Sequence, residues 1–164
     1  MERIGLFKPE YVWITTGTGR WTNKKSAEAL AKRDAGINTS KLVEVLRLEN
    51  NPVTLIGKEE FIERSSNSKH AYMYGNISYV QLGEVLNGDI SAINTEDWSG
   101  VKYSVYSGDK KETPYSEKSL ILEYETFNKK ISPTPLTKTV SMSRNDPYNE
   151  FCLIVAAMVI GEPK

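Results

Sequence analysis

The chain has 164 residues, enough for one domain with a real core, and it carries 21 basic and 21 acidic side chains. That balance gives no electrostatic reason to expect nucleic acid or an anionic membrane as a partner. One Cys excludes an internal disulfide, and one His excludes the usual His-rich metal sites.

Hydrophobic content of 39% and charged content of 26% are those of an ordinary soluble globular protein. Glu2, Arg3, Lys8 and Glu10 interrupt any apolar run of a signal peptide, and Phe151–Ile160 is too short to span a bilayer. The expectation is a cytoplasmic protein of one domain, residues 1–164.

Residues 1–11 read as a leader. Val12–Thr16 is β-branched and aromatic, the composition of a half-buried strand. Gly17 and Gly19 then predict a sharp reversal. Thr22 or Asn23 can cap a helix, and Ala27, Leu30, Ala31 and Ala35 recur at helical spacing as one narrow apolar stripe. Gly36 ends that helix, and Lys41–Leu48 resumes as a strand.

Glu49–Pro52 is a turn, Val53–Ile56 a short strand, and Lys58–Arg64 one or two helical turns with Phe61 and Ile62 facing inward. Ser65–His70 is a polar loop. Ala71–Leu82 reads as strand, broken at Gly75-Asn76; Asn87-Gly88 is a turn, followed by strand at Ile90–Asn94.

Val101, Tyr103 and Val105 alternate with Lys102, Ser104 and Tyr106, and Leu120, Leu122 and Tyr124 alternate with Ile121, Glu123 and Glu125. Two such strands, joined by a charged loop at Gly108–Lys118, predict an antiparallel pair. Ile131–Pro135 is a proline-broken linker. Leu136–Ser143 is a weak strand with Thr137, Thr139, Ser141 and Ser143 on one face; Asp146-Pro147 is a turn. Phe151–Ile160 reads as a central strand buried on both faces. The sum is an α+β domain, a sheet packed by helices.

Several of these pieces resemble pyruvoyl-dependent arginine decarboxylases. The segment from Gly17 to Ala35-Gly36-Ile37 is similar to that family's strand, helix and Ala-Gly-Ile; Ser119–Glu125 resembles its strand ending in Glu-Tyr-Glu; Phe151–Ala157 resembles its alanine-rich last strand. Asp89–Ala92 is a weaker match. The resemblance implies an antiparallel sheet sandwich flanked by helices, αββα, assembled as a homotrimer with clefts between subunits. Pro133 and Pro135 deny one outer helix the segment that forms it in the family.

The family cuts itself at a Ser-Ser bond and converts the second Ser into a pyruvoyl electron sink. Carried over without a gap, those serines fall on Leu46 and Arg47, which lack the hydroxyl for an N-to-O acyl shift. The family's guanidinium-holding carboxylate falls on Ala29 and its substrate-binding Asn on Lys41, while the proton-donor Glu is matched by Glu123. The resemblance therefore implies a protein without a pyruvoyl cofactor. It would use the old cleft as a repurposed small-molecule enzyme or binding protein. Glu123 would be general acid or base of a lyase-like reaction, with Lys41 and Arg47 lining the cleft for an anionic or carbonyl-bearing ligand.

A catalytically silent subunit that assembles with an active paralogue is a second reading. A third is an active arginine decarboxylase cut at Ser65-Ser66, a pair that also reads as an ordinary solvated turn.

Other residues carry weaker signals. Glu123 and Glu125, on one strand face, would push one of their two pKa values up to make a general acid, or form a polar strand face or an intersubunit salt bridge. Thr15–Arg20 lacks the Gly-Lys-Ser/Thr ending of a phosphate-binding loop and reads as a turn. His70 reads as exposed, Cys152 as inert core, and Trp13, Trp21 and Trp98 as core or interface.

Overall fold

In the computed structural model, which describes residues Met1–Lys164, the chain is an α+β protein of two sheets and three helices. The strands are β1 (Glu2–Trp21), β2 (Leu42–Leu48), β3 (Thr54–Leu55), β4 (Ala71–Tyr79), β5 (Val85–Asn94), β6 (Ser99–Ser107), β7 (Leu136–Ser143) and β8 (Glu150–Pro163). The helices are α1 (Lys24–Asp34), α2 (Lys58–Ser65) and α3 (Tyr115–Asn128). No helix is long and apolar enough to cross a membrane.

The first sheet has the order β2-β4-β8-β1-β3. It is mixed: β1 pairs antiparallel with β8 but parallel with β2 and β3. Because β2 also pairs with the start of β1, the pairings β1–β8–β4–β2 return to β1 and close that end. The second sheet, β6-β5-β7, is antiparallel throughout. The expected antiparallel sandwich is thus correct for the second sheet and wrong for the first.

β8 runs through the centre, as its apolar run predicts. Its odd residues Leu153, Val155, Ala157 and Val159 join Val12 and Ile14 of β1 against Leu86, Ile90 and Ala92 of β5, forming the core between the sheets. Its even residues Cys152, Ile154, Ala156 and Met158 face the other way, beneath Ala27, Ala31 and Ala35 of α1 and Phe61 of α2. Each large side chain buried here contributes about 1.5–3 kcal/mol of transfer free energy.

β1 is far longer than Val12–Thr16, and residues 2–11, read as a leader, are strand. Gly17 and Gly19 make no reversal. β1 continues through them, paired with Ile154 and Cys152 of β8. They are glycines because α1 lies directly on the strand: a Cβ on Gly17 would stand 2.4 Å from the Ala31 carbonyl oxygen. The turn comes at Thr22-Asn23, where Asn23 Oδ1 accepts the Ser26 amide hydrogen at 2.9 Å and caps α1. Gly36, at φ +78°, ends the helix as expected.

The larger correction concerns Ser119–Glu125. It is no strand and has no ladder pairing with β6; it lies within α3. Leu120 and Tyr124 are four residues apart, so helical and strand spacing both place them on one face, whereas Leu122, the alternating residue between them, is 68% exposed. Leu120, Tyr124 and Ile93 form the core under α3, with Trp98 packed beside it. Lys129, at φ 57°, gives α3 a left-handed stop before the prolines.

α3 covers the outer face of the second sheet, and it is formed before Pro133 and Pro135, not through them. The layers run α1 and α2, first sheet, second sheet, α3.

Smaller readings change too. Asn87-Gly88 is no turn: both residues are buried within β5, paired with Tyr106 and Val105 of β6. β4 runs unbroken through Gly75 and stops at Tyr79. Ile62 faces outward on α2, and the loop after β6 ends at Pro114, not Lys118. β7, the weak strand, is present and pairs with β5.

Candidate functional site

Where β2 leaves the first sheet, its last residues and the Glu49–Val53 loop meet the start of β6 and one side of α3. A cleft of about 230 Å³ opens there, lined by Arg47, Asn50, Tyr74, Ser99, Lys102 and Glu123 among others. The loop is pinned to β6. Asn50 Nδ2 donates to the Ser99 carbonyl at 2.9 Å, the Val53 N–H donates to Ser99 Oγ at 2.9 Å, and Ser99 Oγ donates to Asn94 Oδ1 at 2.6 Å.

Glu123 sits on α3 next to the buried Tyr124, one turn after Leu120, so it emerges at the margin of the sheet-facing side. Its Oε2 is 2.8 Å from Lys102 Nζ on β6, and both side chains are partly screened from water. Tyr74 on β4 packs its ring edge-on against Tyr103 at 5.3 Å. Burial, with Tyr103 and Glu123 nearby, pushes the Tyr74 phenol above its ordinary range, so it stays a hydrogen-bond donor at neutral pH.

The cleft thus offers two cations, Arg47 and Lys102, two carboxylates, Glu49 and Glu123, and a phenol. Arg47 and Lys102 suit a carboxylate or a polarised carbonyl. Glu123, held by Lys102, is an acceptor for a proton or an amine.

Of the residues that the resemblance points to, Arg47 and Glu123 meet in this cleft although 76 positions separate them. The others are elsewhere. Lys41 lines a different cleft with Ser65 and Ser66, which shares no residue with the first. Leu46 is 57% exposed and points out of the sheet, because neighbours in a strand face opposite ways and Arg47 takes the cleft side. Ala29 is exposed on α1, away from the buried Ala27 and Ala31 stripe.

Glu125 shares no face with Glu123. Two residues apart on a helix they diverge, and Glu125 Oε2 accepts the Ser132 N–H at 3.2 Å beyond the end of α3. A carboxylate pair is therefore ruled out. Thr15–Arg20 forms no phosphate cradle, being part of β1. Ser65 ends α2 and Ser66 caps it; their hydroxyls donate to the carbonyls of Phe61 at 2.6 Å and Glu63 at 2.9 Å.

His70 is exposed, Trp13 is buried, Trp98 packs against α3, and Trp21 is 53% exposed. Cys152 is fully buried, and that burial pushes its thiol up to about 12.

Lys102, Tyr74, Asn50 and Ser99 were not legible as site residues. Lys102 showed only as the wet face of an alternating strand, and Tyr74 as one aromatic among several.

No protein-family model matches this chain. No curated protein matches it either.

Proposed function

We propose that this chain is a divergent relative of the pyruvoyl-dependent arginine decarboxylases that does not cut itself, and that it uses the Arg47–Lys102–Glu123 cleft to hold a small anionic or carbonyl-bearing molecule. The observation that carries this reading is the meeting of Arg47 and Glu123. The resemblance assigns both to a cleft between subunits, Glu123 through the Ser119–Glu125 match that lies in α3 as helix, and the two residues line one cleft within a single chain. The layer order, helices outside two stacked sheets, is also what that family's αββα architecture requires.

The pyruvoyl group does not fit this chain at the matching positions. Leu46 and Arg47 have no hydroxyl, and Leu46 does not line the cleft. The chemistry left to the cleft is binding and proton transfer. Arg47 and Lys102 hold the anionic or carbonyl oxygen, Tyr74 donates a hydrogen bond, and Glu123 takes or returns a proton. Assembly as a homotrimer goes with the same reading.

The test is an intact mass under denaturing conditions, followed by a ligand titration. One species at the mass of the whole chain, with pyruvate or a related keto acid binding the wild type but not Glu123→Gln, supports the reading. Full-length chain with no keto acid or carboxylate binding would shift it to a silent subunit. Mixed oligomers formed with an active paralogue would then be the next observation to seek. Two fragments split at Ser65-Ser66 would overturn it in favour of an active decarboxylase.

A further inference from the structure

The second cleft lies on the opposite side of the first sheet, between the Gly36–Lys41 connection and the Ser65–Ala71 connection, and measures about 180 Å³. Its floor is apolar, made by Phe61, Ile37 and Met158, and its rim is polar. A smaller hollow continues it past His70 toward Gly161, sharing Phe61, Ser65, Ser68, His70 and Ala71 with it.

Charge sets this cleft apart. The first cleft balances Arg47 and Lys102 against Glu49 and Glu123, and the groove between β1 and β7 sets Asp34 beside Lys58 and Lys138. Around the second cleft and its extension there is a lysine and a histidine and no carboxylate at all. Its donors are exposed and few of them are engaged by the protein. Lys41 Nζ makes one long bond, 3.4 Å to the Ser68 carbonyl. Asn38 uses only its Oδ1, accepting from Ser40 N at 3.1 Å and Ser40 Oγ at 2.9 Å, so its amide hydrogens have no protein partner. The Ser68 hydroxyl and the His70 ring donate to no protein group.

We propose that this cleft is a second ligand site, which takes a small organic phosphate. The phosphate lies against Lys41, Asn38, Ser68 and His70, and the apolar body rests on Ile62 and the edge of Phe61. A compact ammonium flanked by hydroxyl and amide donors suits the tetrahedral, multiply charged phosphate, whereas flat bidentate carboxylate recognition favours an arginine fork, absent here. The site is independent of the Glu123 cleft, and its test leaves that cleft untouched.

His70 is the chain's one histidine, so its ring protons give an isolated magnetic-resonance signal without assignment. Phenyl phosphate, inorganic phosphate and phenol are titrated at constant pH against the full chain. Phenyl phosphate is expected to shift the His70 signal saturably. Its affinity should exceed that of the other two at least tenfold and fall at least fivefold in Lys41→Gln, with Glu123→Gln unchanged. Lys41 is exposed, and Asn38→Ala serves as a second variant. The proposal is overturned by any one of three results: no saturable shift, phenol or inorganic phosphate binding as tightly as phenyl phosphate, or undiminished affinity in both variants.

Discussion

A Cβ built on Gly19 of β1 would stand 2.1 Å from the carbonyl oxygen of Ala27 on α1. The two backbones touch, and nothing but hydrogen fits between them. Both partners are rigid: Gly19 is held in register with Cys152 of β8, and the Ala27 carbonyl belongs to a helix. Gly19→Ala must therefore lift α1 off the sheet. Overpacking of this kind costs about 1–3 kcal/mol or more. Urea unfolding should show a lower midpoint with an unchanged slope, and Gly17→Ala, facing Ala31, should behave alike.

Asp89 ties α3 to the second sheet. It is 2% exposed on β5, and its carboxylate accepts the Ser116 N–H at 2.8 Å and the Ser104 hydroxyl at 2.9 Å. Pro114 at the N-cap offers α3 no side-chain acceptor, so a strand residue far away in sequence does the capping. Asp89→Ala leaves the buried Ser116 N–H unpaired, at a cost of about 1–3 kcal/mol. Because α3 carries Glu123, keto-acid binding should weaken along with stability. Hydrogen exchange should rise first at Ser116–Ser119.

Cys152 sets an alkaline limit. Its thiol has a folded pKa raised from 9.0 to about 12 by burial, so the folded state keeps a proton that the unfolded chain gives up. The associated stability is intact below pH 9 and is lost as pH rises from 9 toward 12. One pH unit into that window the loss is about 1 kcal/mol. Tyr79, its phenol raised by burial and by the hydrogen bond to Glu28, adds to the loss above pH 10. Urea midpoints at pH 8 and pH 10 should differ, and by less in Cys152→Ala. Thiol reagents should leave native Cys152 unmodified.

Glu123→Gln separates function from fold. The Lys102–Glu123 pair is partly exposed, with side-chain accessibilities of 40% and 22%, so its loss should change stability by less than about 1 kcal/mol. Ligand binding in the first cleft should fall much further. Equal thermal midpoints with lost keto-acid binding would meet that expectation. Retained binding would remove Glu123 from the site.

The elements read well where one local rule acted alone. The alanine stripe, a cap at Thr22 or Asn23, Gly36 and the apolar run Phe151–Ile160 could each be understood from a short window, because capping, left-handed geometry and two-sided burial leave their mark on neighbouring residues. Ser119–Glu125 was ambiguous because Leu120 and Tyr124 satisfy both periods. Only the identity of the covered surface, the Ile93 side of β5, decides for helix. Gly17 and Gly19 look like a turn because glycine relaxes the backbone, yet here it serves close approach, which depends on a helix packed from outside the strand.

The candidate site follows the same division. Glu123 and Arg47 were legible as candidates by resemblance, Lys41 was drawn in with them, and Glu125 entered through the strand reading of its segment. Their sorting into two clefts and an outer helix face depends on the direction in which each side chain leaves its strand or helix. By itself the sequence determined the α+β composition, the capped alanine helix and the central buried strand, since these are properties of contiguous residues. The tertiary structure alone decided that α3 is a helix, that β1 runs unbroken through its glycines, and that Lys102 completes the Glu123 cleft. Each of these depends on a contact between segments distant in the chain, whose energy no short window contains.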